Sequence, residues 1–214
     1  MADQDDVTIK CASDGPYLVG NLNDLRNSRG EPVQSKAKIA LCRCGGSANK
    51  PFCDGTHKRN GFTGKRTAEK PPTGDSDVYE GKQISILDNR SVCSHAGMCT
   101  DGLSTVWKLG GEPWIDPNGA PREEIATVVA RCPSGALTYI VGEQQYSPDE
   151  ATPSVVVSKD GPYLVKGSIP LTDDTTEQTP QCEDRYALCR CGQSKNKPFC
   201  DGSHWAAKFS DPDN

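Results

Sequence analysis

Cys42-Arg-Cys-Gly-Gly-Ser-Ala-Asn-Lys-Pro-Phe-Cys-Asp-Gly-Thr-His57 is written a second time as Cys189-Arg-Cys-Gly-Gln-Ser-Lys-Asn-Lys-Pro-Phe-Cys-Asp-Gly-Ser-His204, with every Cys and His displaced by the same 147 positions. Each copy offers three thiols and one imidazole, the donors that hold zinc or iron-sulfur clusters. The repeat reaches further upstream, because Asp14-Gly-Pro-Tyr-Leu-Val19 returns as Asp160-Gly-Pro-Tyr-Leu-Val165. The repeating unit is therefore a small domain. A Gly-Pro turn running into Tyr-Leu-Val marks the start of a strand, and Ile39-Ala-Leu41 and Tyr186-Ala-Leu188 read as strands that deliver the chain to the ligand loops. The offset is 146 at the Gly-Pro turn and 147 at the cysteines, which puts one extra residue in the second copy, expected in a surface loop.

Of 214 residues only 34% are hydrophobic and 6% aromatic, so one large core is not expected, and small modules of this kind lean on bound metal for stability. Nine of the 11 cysteines sit in groups with ligand spacing, which suits a reducing compartment better than a disulfide framework. Cys11 and Cys182 match no motif and read as plain thiols. The acidic start Met1-Ala-Asp-Gln-Asp-Asp6 has no apolar stretch and is unlike an Arg-rich transit peptide, and no segment has the length of a membrane span. The expectation is a soluble, cytoplasmic protein with no membrane association. A net charge of -5 disfavours nucleic acid as a partner, and Lys50, Lys58, Arg59, Lys195 and Lys197 read as ordinary solvated charges.

Pro-rich polar stretches at 67–77 and 142–153 read as linkers. They divide the chain into 1–66, 78–141 and 154–214. The middle segment carries a strand at Gln83-Ile-Ser-Ile-Leu87 and a helix from Arg122 to Arg131, opened by Pro121, with Glu123 and Glu124 in its first turn and Pro133 beyond its end.

Within each copy the spacing suits two metals sharing bridging sulfides: Cys42 and Cys44 can hold one, Cys53 and His57 the other, and likewise Cys189, Cys191, Cys200 and His204. From donor types alone, mononuclear zinc and an iron-sulfur cluster stand equal. Asp54 and Asp201 open a turn before the histidine, and the hydroxyls of Ser47 and Ser194 are expected to donate to sulfur. Gly45-Gly46 reads as turn geometry that brings backbone amides near the ligands.

Both copies resemble the CDGSH iron-sulfur domain family, the mitoNEET-like proteins, matching Cys-x-Cys-x2-Ser/Thr-x3-Pro-x-Cys-Asp-Gly-Ser/Ala/Thr-His throughout. The resemblance implies a 2Fe-2S cluster on three Cys and one His in each copy, and a role in electron transfer, cluster donation or redox sensing. Single-motif members of that family pair as dimers, so the two copies here are expected to pack as an intramolecular pseudo-dimer in a monomeric chain.

Between them, Cys93-Ser-His-Ala-Gly-Met-Cys99 and Arg131-Cys132-Pro are similar to the divergent mono-cluster ferredoxins, with Ala96 where a second cysteine would stand. Cys93, Cys99 and Cys132 suffice for a 3Fe-4S cluster, or for a 4Fe-4S cluster whose fourth iron takes another ligand such as His95. A structural zinc site, or three free thiols, are the alternatives. The expected fold class is thus β-rich α+β, two cluster domains flanking a ferredoxin-like insertion. No Ser-His-Asp set, phosphate loop or dinucleotide fingerprint is present, so a non-enzymatic electron carrier is expected, with a redox protein or a cluster acceptor as partner. An acid- or redox-labile cluster donor, or a zinc-stabilised interaction module, are the alternatives.

Overall fold

The computed structural model describes residues 6–69, 76–146, 151–173 and 179–214. The first copy forms β1 (Thr8–Cys11), β2 (Tyr17–Gly20), β3 (Leu25–Arg26) and β4 (Lys38–Leu41). The middle segment forms β5 (Asp77–Tyr79), β6 (Ser85–Asp88), α1 (Met98–Gly102), α2 (Arg122–Ala130), β7 (Leu137–Val141) and β8 (Gln144–Tyr146). The second copy forms β9 (Ser154–Val157), β10 (Tyr163–Lys166), β11 (Leu171–Asp173), β12 (Arg185–Leu188) and α3 (Ser203–Ala206). The molecule is β-rich, with three four-stranded sheets and short helices.

In both copies the Gly-Pro turn closes a hairpin. Ala12 N–H donates to Pro16 O at 3.0 Å, and Ser158 N–H to Pro162 O at 3.1 Å. Strict alternation then sends Ile9, Cys11, Tyr17 and Val19 inward, and Val155, Val157, Tyr163 and Val165 likewise. The third strand of each copy does not stay at home. β3 pairs in parallel with β9 of the second copy, Leu25 opposite Val155, while β11 pairs in parallel with β1 of the first, Leu171 opposite Ile9. These two registers are equivalent under the sequence repeat. Each copy therefore completes the other's sheet, in the orders β11-β1-β2-β4 and β12-β10-β9-β3. The extra residue of the second copy falls between β11 and β12.

The middle segment is an antiparallel sheet β5-β6-β7-β8 on which α2 lays Ile125, Val128 and Val129. The helix ends at Ala130, one residue before the expected boundary. The linker readings need trimming as well. Thr67 and Ala68 donate backbone hydrogen bonds to Lys195 O at 2.8 and 2.9 Å, and Gln144–Tyr146 forms the edge strand β8; residues 70–75 and 147–150 of those stretches lie outside the described residues. No helix among the described residues is long and apolar enough to cross a membrane.

The middle segment docks on the second copy. Arg185 donates to Ala130 O, Asn196 Nδ2 to Ser91 O at 2.6 Å, and Gln181 Nε2 to Ser76 Oγ at 2.9 Å. All four residues of β12 are buried, whereas in the equivalent β4 only Leu41 is.

Candidate metal centres

β4 and β12 each end where a ligand loop begins. The loop folds back so that Cys42 N–H donates to Pro51 O and Cys53 N–H to Ala40 O, both at 2.8 Å; Cys189 and Cys200 repeat this with Pro198 O and Ala187 O. Asp54 ties the far end of the loop, its carboxylate accepting from Ala48 N–H at 2.8 Å and Thr56 N–H at 2.9 Å, which holds the group well below the usual carboxylate range. Asp201 does the same with Lys195 and Ser203. A short helical turn follows in each copy and presents the histidine.

The four donors of each site stand in two pairs. Cys42 Sγ lies 3.9 Å from Cys44 Sγ, and Cys53 Sγ 3.4 Å from His57 Nδ1; the second copy gives 3.8 Å and 3.4 Å. Two thiolates on one tetrahedral metal stand about 3.8 Å apart, and a thiolate and an imidazole nitrogen about 3.6 Å. Each pair therefore spans the edge that one metal ion requires. Among the described residues no three His, Cys, Asp or Glu side chains gather about one point.

Burial pushes the Cys42 thiol up to about 11, against the pull of the Ser47 and Gly45 backbone amides. In the second copy Cys189 is pushed up by its neighbour Cys191, which is itself lowered to about 7 by the same contact. Cys42 and Cys189 are thus poor free thiolates, and a bound cation is what would ionise them. Backbone amides aim at them directly, Gly55 N–H to Cys53 Sγ at 3.4 Å and Gln193 N–H to Cys191 Sγ at 3.4 Å. The hydroxyl expectation is corrected here: Ser47 and Ser194 donate to Phe52 O and Phe199 O at 2.7 Å and stabilise the loop, leaving sulfur to the amides. Lys50 and Lys197 are not free charges either, since their ammonium groups bond back to Ser47 O and Ser194 O.

The two sites meet back to back. Cys44 and Cys191 form an antiparallel bridge, and a Cβ on Gly45 would stand 2.6 Å from Cys191 O, one on Gly192 2.7 Å from Cys44 O. Glycine is required there for the loops to approach, as well as for their positive φ of 76° and 77°. Two tyrosines cross the contact. Tyr17 OH donates to Cys189 O at 2.8 Å, and Tyr163 OH to Cys42 O at 2.9 Å, with their rings edge to face at 6.0 Å. The crossed roles of these tyrosines are absent from the sequence reading; their recurrence in the repeated Gly-Pro-Tyr was the available signal.

In the middle segment Cys93, Cys99 and Cys132 line one cavity of about 350 Å³, together with His95, Met98 and Trp114. Burial pushes Cys93 up and Cys99 up to about 11. Arg90 NH1 donates to Cys93 Sγ at 3.4 Å. His95, in a left-handed conformation at φ 54°, lies directly on Gly202 of the second copy. Cys200 and His204 are 2% and 6% exposed, while Cys53 and His57 are only half-buried. Burial, and then His95, lower the pKa of His204. Cys11 and Cys182 are buried and in no disulfide.

Residues 14–58 and 160–205 match the family described as iron-binding zinc finger CDGSH type, and residues 79–142 the family described as divergent 4Fe-4S mono-cluster. CDGSH iron-sulfur domain-containing protein 1 of Mus musculus is 32% identical over 94 residues, 42% of this chain and 79% of that protein. The uncharacterized protein YjdI of Escherichia coli (strain K12) is 36% identical over 61 residues, 28% of this chain and 80% of that protein. No solved structure matches the chain.

Proposed function

Because the chain belongs to the CDGSH iron-sulfur family, we propose that it is a non-enzymatic, three-cluster electron carrier, with two 2Fe-2S clusters on the CDGSH sites and one cuboidal cluster on Cys93, Cys99 and Cys132. The donor sets fit these groups. Paired edges of 3.4 to 3.9 Å suit two metals per CDGSH site, and three thiols around one cavity suit a cluster larger than a single ion. Bound there, each cluster would take up and release one electron. The protein's own part is to hold the sulfurs, direct amides at them and keep water from the second site. Reciprocal exchange of β3 and β11, with tyrosines crossing between the copies, supports an intramolecular pseudo-dimer and hence a monomer. Ligand-spaced cysteines support a reducing, cytoplasmic setting.

The observation that carries the electron-transfer reading is contiguity: Cys44 pairs with Cys191, and His95 beside the central thiols lies on Gly202. Three donor sets in an unbroken row form a path for electrons. A second reading, cluster donation to an acceptor protein, is favoured by one feature only, the half-exposed Cys53 and His57. Stepwise photoreduction followed by EPR discriminates them. Reversible reduction of all clusters without iron loss is expected; irreversible loss of a 2Fe-2S signal, with its appearance on added apo-ferredoxin, would replace the carrier reading with donation.

A further inference from the structure

Each ligand loop buries an arginine between its first two cysteines. Arg43 and Arg190 are both 1% exposed, and each lies in a cage of equivalent aromatic rings. Arg43 lies over the rings of Tyr17 and Phe62 at 5.3 and 5.8 Å and donates to Ala12 O and Gly64 O. Arg190 lies over Tyr163 and Phe209 at 5.7 and 4.9 Å and donates to Ser158 O and Gly161 O. The chain closing each cage is pinned identically, Gly64 N–H to Asp14 Oδ1 and Asp211 N–H to Asp160 Oδ1, both at 2.7 Å.

The charge next to the two guanidinium groups differs at one position. Asp211 forms a buried ion pair with Arg190, whereas its counterpart in the first copy is Gly64, which has no side chain. Among the described residues no carboxylate reaches ion-pair distance of Arg43, and its Nε has no hydrogen-bond acceptor. Asp173, a buried carboxylate on the exchanged strand β11, acts on Arg43 electrostatically without a hydrogen bond between them. A guanidinium buried in low dielectric without a contact counterion favours added negative charge nearby, and exposure of the cluster works in the same direction.

We propose that the missing carboxylate at position 64 holds the first CDGSH cluster at a higher reduction potential than the second, making the first site the electron-receiving end of the molecule. The inference rests on the iron-sulfur reading above. An external one-electron protein donor is oxidised as it reduces the second cluster by way of the central one; one electron then leaves the second cluster and enters the oxidised first cluster, with no bond made or broken and no proton moved.

The test is an EPR-monitored redox titration of the full chain, with His57→Cys and His204→Cys used to tag which signal belongs to which site. The higher of the two 2Fe-2S midpoints is expected at the first site. Gly64→Asp brings a carboxylate beside Arg43, whose guanidinium must shift to admit it because a Cβ there would stand only 2.7 Å from Nη1, and is expected to lower that midpoint alone. Gly64→Asn, equal in size but uncharged, should leave it in place, and Asp211→Asn should raise the second midpoint. Reversed order of the two sites overturns the proposal. So does a Gly64→Asp midpoint that does not move at full iron and sulfide loading, or one that Gly64→Asn reproduces. A protein without acid-labile sulfide would instead overturn the cluster reading itself, and the proposal with it.

Discussion

The two CDGSH sites share ligands, loop hydrogen bonds and a crossed tyrosine, yet one stands half-open and the other is covered. Nothing within the sixteen-residue motif makes that difference. It comes from the middle segment, which seats His95 on Gly202, ties Asn196 to Ser91 and buries the whole of β12. A repeated motif thus specifies a pair of equal donor sets, and the domain between the copies makes them unequal by docking on one of them.

The largest expected consequence lies in metal removal. Chelator should strip the first site well before the second, because each 1.4 kcal/mol or so of added opening cost slows access about tenfold. Biphasic loss of visible absorbance, its fast phase missing in Cys53→Ala, would sharpen the comparison; single-phase loss would break it. Acid should separate the sites in the same order. Burial lowers the pKa of His204, so its ring stays neutral and able to bind metal until the pH falls through that depressed value. His57 is half-exposed where His204 is buried, so solvent acid reaches the first site more readily and its cluster is expected to bleach at higher pH. Bleaching of both at one pH, or unchanged lability in a His57→Cys, His204→Cys protein, would count against the ligand assignment.

Glycine substitution gives a smaller effect with a clean internal control. Gly55 and Gly202 have the same left-handed conformation, φ 86° and 83°, so alanine carries the same backbone cost of about 1 to 2 kcal/mol at either. Only at Gly202 does the added carbon run into the His95 ring. Gly202→Ala should therefore lose more stability in thermal unfolding than Gly55→Ala, and equal losses would mean that His95 is not held against the second copy. The smallest contrast should appear at the tyrosines, where the copies remain alike. Tyr17→Phe and Tyr163→Phe each remove a buried hydroxyl bond across the pair and should each cost about 1 to 3 kcal/mol. A large difference between them would show that the pseudo-symmetry fails at its centre.

What the sequence made legible was local. The ligand loops, the Gly-Pro hairpins, the strands before each loop and the helix over 122–130 all follow from short-range patterns of turn residues, alternation and capping. β3 and β11 were not readable, because strands of two and three residues carry no period and their pairing lies about 130 to 160 residues away in the chain. The same distance hid the tyrosine crossing and the cover over the second site. Ser47 misled for a different reason: a hydroxyl next to sulfur in sequence was closer in space to the Phe52 carbonyl once the loop turned back.

The most direct test is iron, zinc and acid-labile sulfide analysis on anaerobically purified protein, read together with its visible and EPR spectra. Coloured protein is expected, with iron and sulfide near two 2Fe-2S clusters plus one cuboidal cluster and two distinguishable 2Fe-2S signals. Colourless protein that carries zinc and no sulfide, even after anaerobic reconstitution, would contradict the cluster assignment and leave a zinc-stabilised interaction module in its place.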